Sequence, residues 1–186
     1  YAGDLLPATD AGAILGIADR IDSIVGIFGV GEAPTGAADP YGLRRAALGI
    51  IHILLDKKYR LSIEEVVDKS IELFNGKIER PAKVVKNEVI EFIKMRQKFH
   101  LLSQGMGTDI TDAVLDASYT DIYDASQRVK ALSSFKTRED FGEIVTAFKR
   151  VINIVQTANP AEIGKEIIGQ LLKEEAEKEL FEAYKM

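Results

Sequence analysis

Apolar side chains recur every three or four positions along most of the 186-residue chain, and strict alternation of apolar and polar residues is scarce. This period places apolar residues on one face of an α-helix. We therefore predict an all-α chain. The predicted helices run over Asp10 to Gly29, Pro40 to Lys57, Ile63 to about Gly76, Pro81 to about Ser103, Thr108 to Ala117, Thr120 to Phe135, Arg138 to Thr157 and, strongly charged, Lys173 to Met186.

Four of these helices carry stripes that the spacing assigns to a core. The expected inward residues are Ile14, Ile17, Ile21, Ile24 and Phe28 in the first helix, Leu43, Ala47, Ile50 and Leu54 in the second, Val85, Val89, Phe92 and Phe99 in the fourth, and Phe141, Ile144, Val145, Phe148, Ile152 and Val155 in the seventh.

Residues that favour helix starts stand where these stripes begin. Thr9 or Asp10 is expected to cap the first helix, and Asp39 the second, with Pro40 at its first position. Ser62 followed by Glu65 has the spacing of a capping box. Thr137 is expected to cap the seventh helix.

The glycines around Met106 are the best candidate for a domain boundary, which gives domains at 1–106 and 107–186. The second domain looks too small to close a core alone. The chain also begins with Tyr1 rather than methionine. We therefore expect a fragment of a larger protein.

Composition narrows the setting of the protein. The chain has no cysteine, which excludes disulfides and thiol chemistry and fits the cytoplasm. No apolar run approaches the ~18 residues of a membrane span. The net charge of −5 argues weakly against a stand-alone nucleic-acid binder. The charge is uneven, so a local basic patch remains open.

Asp19 and Asp22 lie three apart on the first helix, a spacing at which two carboxylates share a face. They are candidates for a metal site or acid–base work, although a solvated helix face is the favoured interpretation. His52 and His100 are lone histidines without the company of other metal ligands. No Ser/His/Asp set, Walker motif or zinc spacing is present. The sequence therefore predicts neither a catalytic residue nor a bound metal.

The glycine-rich loop from Gly31 to Gly36 precedes a helix and contains Pro34 and Thr35. Backbone N–H groups at such a place can hold a phosphate. The loop lacks the Gly-Lys-Ser/Thr ending of a P-loop. A rigid connecting turn is the favoured interpretation.

Two basic pairs are candidates for contact with a nucleic-acid backbone. Arg44 and Arg45 lie in the first turns of the second helix, where basic side chains oppose the helix dipole, so Asp39, another acid or a phosphate is expected to offset them. Arg45 is expected to pair with Asp19 or Asp22 in preference to RNA. Lys149 and Arg150 form the second pair, with Arg128 and Lys130 on the preceding helix, and ordinary surface charge is the favoured interpretation of these residues.

The segment ADRIDSIVGIFGVGEAPTGAADPYGLRRAALGIIHILL, residues 18–55, resembles the signature block of the bacterial two-subunit glycyl-tRNA synthetase β subunit family. The matching residues are Asp19, Asp22, Val25, Gly26, Phe28, Gly31, Pro34, Thr35, Gly36, Asp39, Pro40, Leu43, Arg44, Arg45, Ala46, Ala47 and Gly49. Weaker similarity continues at residues 109–115 and 147–154. The chain has Ala37 and Ala38 where the family usually has Ser-Lys, so an RNA contact through that lysine is not expected here.

The resemblance implies a part of the β subunit of an α₂β₂ ligase that attaches glycine to tRNA(Gly). In that family the α subunit binds glycine and ATP, with magnesium, and the β subunit chiefly recognises the tRNA. The fragment would hold the later part of an HD-like helical domain and the start of a helical anticodon-binding-type domain. Asp19 would be the remnant of an HD ligand set. No cofactor is expected in the fragment itself.

Two other classes of function stay open. The chain is alternatively a helical module that docks within the synthetase without touching RNA, which the acidic segment 161–186 favours. A metal-dependent phosphohydrolase is the third hypothesis, but the remaining ligands of such a site are missing from this sequence.

Overall fold

The computed structural model describes residues 5–74, 76–158, 169 and 172–185, and in these ranges the prediction of an all-α chain is confirmed. The helices are α1 Asp10–Gly29, α2 Leu43–Lys57, α3 Ile63–Leu73, α4 Ala82–Ser103, α5 Thr108–Ala117, α6 Ile122–Lys136, α7 Phe141–Thr157 and α8 Glu175–Lys185. Met186, the predicted end of the last helix, lies outside the described residues.

The backbone forms two compact units, residues 1–138 and 139–186. The boundary expected after residue 106 falls inside the first unit, between α4 and α5, which pack on each other. The division into an HD-like and an anticodon-binding-type domain therefore stays a prediction about the larger protein.

The first unit is built on α4, against which α1, α2 and α3 pack. Its main core is largely aliphatic. It includes Ile21, Ile24, Ile50 and Leu54, which the stripes predicted, and Ile93, which they did not. A smaller cluster lies between the end of α4 and the pair α5 and α6, and consists of Leu101, Ile110, Val114, Leu115, Ala125 and Val129. Burying these side chains, at about 1.5–3 kcal/mol each, holds the helices together.

Polar contacts join α6 to this core. The amide of Gln97, fully buried on α4, donates to the carbonyl of Ile122 at 3.0 Å. The backbone N–H of Ile63 donates to the carbonyl of Thr120 at 2.9 Å, so the starts of α3 and α6 lie side by side. These two bonds hold the start of α6 against α4 and against the start of α3.

Two helix starts were predicted wrongly. Pro40 does not open α2, because a turn from Asp39 to Gly42 delays the helix to Leu43. Thr137 caps the end of α6 rather than the start of α7, which begins after Asp140. Each error places the helix start about three residues early, where a turn precedes the helix.

Some expected core positions are exposed. Ile14 is 62% exposed and Phe99 is 52% exposed, and each is the terminal residue of its predicted stripe. The seventh-helix prediction was wrong about burial, since no residue of α7 is buried within the described part of the chain. Phe148 and Val155, for example, are 64% and 47% exposed.

Candidate functional site

The loop between α1 and α2 is held from one side by the side chain of Arg44. Its guanidinium donates to the carbonyl of Gly36 at 2.6 Å and, at longer range, to those of Ala37 and Ala38 at 3.4 and 3.5 Å. A turn closes the loop, since the N–H of Ala38 donates to the carbonyl of Thr35 at 2.9 Å. Gly36 has a φ of +49°, a conformation that favours glycine. The loop therefore contains a closed turn whose carbonyls are held by Arg44, which is consistent with the connecting turn favoured from the sequence.

Asp39 holds the first turn of α2. One oxygen of its carboxylate accepts from the N–H of Leu43 at 2.8 Å, and the other accepts from the N–H of Arg44 at 3.0 Å. These amides are among the donors that a helix start leaves unpaired. The carboxylate also offsets the unfavourable charge of Arg44 in the first turn, as expected. The helix N-terminus is thus occupied by a side chain, which leaves little room for a bound phosphate at this place.

Arg45 and Arg44 have different surroundings. Arg45 is exposed and, within the described ranges, pairs with neither Asp19 nor Asp22, which are themselves exposed. Arg20 of α1 lies against Gly49 on this side of α2, and its Nε would stand 2.6 Å from a Cβ at that position. Arg20 also donates to the carbonyl of Gly16 at 2.7 Å. Arg45 is therefore available to an outside group, whereas Arg44 is already used by the loop.

Lys149 and Arg150 lie in α7 and are exposed. Neither forms an ion pair or side-chain hydrogen bond with another described residue. They belong to the second unit.

The two histidines, 48 positions apart, meet in the fold. His52 Nε2 of α2 lies 3.3 Å from His100 Nδ1 of α4, so one ring donates and the other accepts. Burial lowers the pKa of His100, and the nearby charges of His52 and Lys130 lower it further. This contact was missed from the sequence because the helical spacing of each histidine carries no information about the other helix.

Arg96 lies one turn before His100 on α4 and was also missed. Its guanidinium carbon lies 5.4 Å from the ring centre of Phe92 and 5.3 Å from that of Phe99, which is cation–π geometry. Burial lowers the pKa of Arg96, and the charge of Arg44 adds to the effect while Asp39 opposes it. The Nε of Arg96 is buried without a hydrogen-bond partner among the described residues.

Nothing in the described ranges assembles an acidic or histidine site for a metal. No group of three or more His, Cys, Asp or Glu side chains there is placed to hold an ion. None of the described helices combines the length and apolar character that a membrane crossing needs.

Comparison with known families gives a match over most of the first unit. The family model described as "Glycyl-tRNA synthetase beta subunit" matches residues 1–116, more than half of the chain. The match includes the loop, Asp39 and the start of α2, where the signature block lies.

Curated relatives extend the similarity over nearly the whole chain. A glycine–tRNA ligase β subunit of Syntrophotalea carbinolica is 45% identical over 182 residues, which cover 98% of this chain and 26% of that protein. The same-named protein of Geobacter metallireducens is 51% identical over 155 residues, 83% of this chain and 22% of the relative. That of Myxococcus xanthus is 42% identical over 188 residues, 98% of this chain and 27% of the relative.

The chain thus spans about a quarter of the length of these relatives. The family match over more than half of the chain, together with the resemblance in its signature block, decides the assignment. This chain belongs to the glycyl-tRNA synthetase β subunit family.

Proposed function

We propose that this chain is a tRNA-contacting, non-catalytic part of the β subunit of glycine–tRNA ligase, the enzyme that uses ATP to join glycine to tRNA(Gly). The family match over residues 1–116 is the observation that carries this proposal. Glycine, ATP and magnesium would be bound by the α subunit of a cytoplasmic α₂β₂ enzyme. Residues 1–106 would complete an HD-like domain, and residues 107–186 would begin an anticodon-binding-type domain.

The charged residues of the structure support a backbone contact through some of the candidate residues more than others. Arg45, Lys149 and Arg150 are exposed and make no ion pair with another described residue, so their charges are available to phosphates. Arg44 already donates its hydrogen bonds to carbonyls of the loop. We expect it to affect RNA binding indirectly, by holding the conformation of that loop. Asp19 and Asp22 are exposed carboxylates that would repel a phosphate backbone.

Binding of the chain to tRNA(Gly) and to an unrelated tRNA across a salt series tests the proposal. A phosphate contact should make affinity fall steeply with salt. The variant Arg45→Ala, and the double variant Lys149→Ala with Arg150→Ala, should each bind both tRNAs more weakly. The slope of log affinity against log salt concentration should fall by about one per lost contact. Lys77→Ala, an exposed lysine outside these sets, is the matched control and should leave the slope unchanged. Absence of binding at low salt would contradict a direct RNA contact.

The exposed apolar face of α7 favours a second candidate, a module that docks onto protein. Phe148, Val151 and Ile154 are 64%, 56% and 67% exposed, and apolar exposure on this scale is typical of an interaction surface. On this hypothesis Ile154→Asp would weaken association with the α subunit or the rest of the β subunit and leave tRNA affinity unchanged. Loss of tRNA affinity without loss of association would contradict it.

A further inference from the structure

One flank of the first unit concentrates positive charge in a chain whose net charge is −5. On the other flank of α4, lysines are neutralised by acids of neighbouring helices. Lys86 pairs with Asp68 at 2.6 Å, and the remaining pairs are Lys94 with Asp116 at 2.9 Å and Lys98 with Asp112 at 2.6 Å. Arg96 forms no ion pair within the described residues. The carboxylate of Asp39 acts on its charge but already accepts from two backbone N–H groups of α2. The positive charges on this flank are therefore less fully compensated than those on the other.

The open flank brings together side chains of three helices, and we call it the histidine face. α2 contributes Arg45 and His52, which lie two helical turns apart on one stripe. α4 contributes Arg96 and His100, one turn apart, and α6 contributes Lys130, whose charge acts on His100. The acid one turn after His52, Asp56, is paired with Lys57 at 3.3 Å and does not neutralise the histidines.

The arrangement suits a phosphate better than a carboxylate-rich protein surface. The donors come from several side chains spread over one face, which is how a backbone of regularly spaced phosphates is held. Phe99 is 52% exposed beside Arg96, so a flat apolar surface lies next to the charges, as in proteins that stack an unpaired base.

The histidine pair adds a dependence on pH. His100 is held neutral by burial, by His52 and by Lys130, which together lower its pKa. A bound phosphate brings negative charge among the same groups and therefore favours the protonated ring. Binding and protonation are thus linked, and each should promote the other.

We propose that Arg45, His52, Arg96, His100 and Lys130 form a binding site for the phosphodiester backbone of RNA, with Phe99 as a stacking surface for an adjacent base. The proposal deepens the proposed function and rests on it, because tRNA is the RNA that the family membership supplies. It assigns RNA binding to a surface of the first unit. Of the two basic pairs identified in the sequence, only Arg45 belongs to that surface.

The sequence offers a direct probe, because its two histidines are both in the site. The imidazole signals of the chain should be followed by NMR during titration with a short single-stranded RNA, with tRNA(Gly) and with inorganic phosphate. RNA should shift both histidine signals to saturation, high salt should reverse the shift, and the pKa of His100 should rise on binding. Inorganic phosphate should act only at much higher concentration, because one phosphate meets the site without its neighbours.

Arg45→Ala with Lys130→Ala should lower RNA affinity by about tenfold at low salt, since two phosphate contacts are lost. Lys83→Ala removes an exposed charge from a different face of α4 and should leave the titration unchanged. Both substitutions in the first variant are at exposed residues, so it should fold normally, and its spectrum checks this before titration.

The outcomes separate the two proposals. If tRNA binds with steep salt dependence while the imidazole signals stay fixed, the histidine face is wrong and the proposed function stands. If tRNA does not bind but the short RNA shifts the histidine signals, the face is a phosphate site and the proposed function fails for this region. If neither RNA perturbs the histidines or binds, both proposals are overturned.

Discussion

Asp39 stabilises the place where the loop ends and α2 begins. Its two oxygens accept from the N–H groups of Leu43 and Arg44. Asp39→Ala should therefore lower the free energy of unfolding by about 1–2 kcal/mol, the typical effect of losing a helix cap. Urea denaturation followed by circular dichroism measures the loss.

Asp22→Ala is the matched control for that substitution. Asp22 is exposed on α1 and caps no helix, so its removal should change the free energy of unfolding by no more than about 0.5 kcal/mol. Equal losses from both variants would mean that general charge, and not the cap at Asp39, determines the effect.

His100 gives the stability of the chain a dependence on pH near neutrality. Its pKa in the folded chain lies below the ordinary value of 6.5, so the unfolded chain takes up the proton first as the pH falls. The contribution of neutral His100 to the free energy of unfolding is fully present above pH 6.5. It declines as the pH falls towards the lowered pKa of this residue. Melting temperature should therefore be lower at about pH 5.5 than at about pH 7.5.

His100→Asn tests the source of this dependence, because asparagine does not titrate. The difference between the two melting temperatures should shrink in this variant. Glu88 and Asp109 also have lowered pKa values, but their ordinary values are 4.5 and 3.8. These carboxyl groups therefore change charge below the range of pH that is compared. An undiminished difference in the variant would show that another group controls the stability.

Among the elements, α1 is fixed by a close approach at Gly26. A Cβ placed there would stand 2.9 Å from the ring of Phe74, a residue that follows α3. Gly26→Ala should destabilise the fold by about 1–3 kcal/mol through this overlap, offset in part by a gain of about 1 kcal/mol in helix propensity. Thermal unfolding of the variant measures the net effect.

A smaller ring partner should relieve the overlap. The double variant Gly26→Ala with Phe74→Leu should lose less free energy of unfolding than the two single variants lose in total. The smaller leucine leaves room for the added methyl group, and the methyl group fills part of the space that the ring occupied. Strict additivity would mean that α1 and the segment at Phe74 do not press on each other.

The same elements show how far the sequence alone could lead. The helical period identified the helices and the buried residues Ile21, Ile50 and Val89, because period and burial share one cause. The sequence placed the start of α2 too early, because Asp39 accepts from the first turn while lying three residues before the N-cap, Gly42. It also placed the apolar face of α7 in a core, whereas that face is exposed. Periodicity indicates that a face is apolar, but it does not say which surface covers it.

The candidate site was less predictable than the fold. Arg45 was expected to pair with Asp19 or Asp22, whereas Arg20 lies against Gly49 and Arg45 stays exposed. The contact between His52 and His100 depends on the packing of α2 on α4, and pairing between helices leaves no periodic signal in one sequence. The roles assigned to Arg44, Arg45, Lys149 and Arg150 in binding RNA stay predictions.

At the scale of the whole molecule, net charge is a poor guide to partners. The chain carries −5 overall, yet the charges of Lys86, Lys94 and Lys98 are neutralised by acids within the first unit. Phosphates respond to the unpaired cations within a Debye length of about 10 Å, and more weakly to the distant acids. An acidic chain can therefore present a local surface for RNA.

The measurement that most directly tests the central claim is aminoacylation by the reconstituted ligase, with the substitutions Arg45→Ala, Lys149→Ala and Arg150→Ala placed in its β subunit. A region that binds tRNA without taking part in the chemistry should raise KM for tRNA and leave both kcat and glycine-dependent ATP–pyrophosphate exchange unchanged. A fall in kcat or in exchange at unchanged KM would contradict the account, and so would unaltered values of all three.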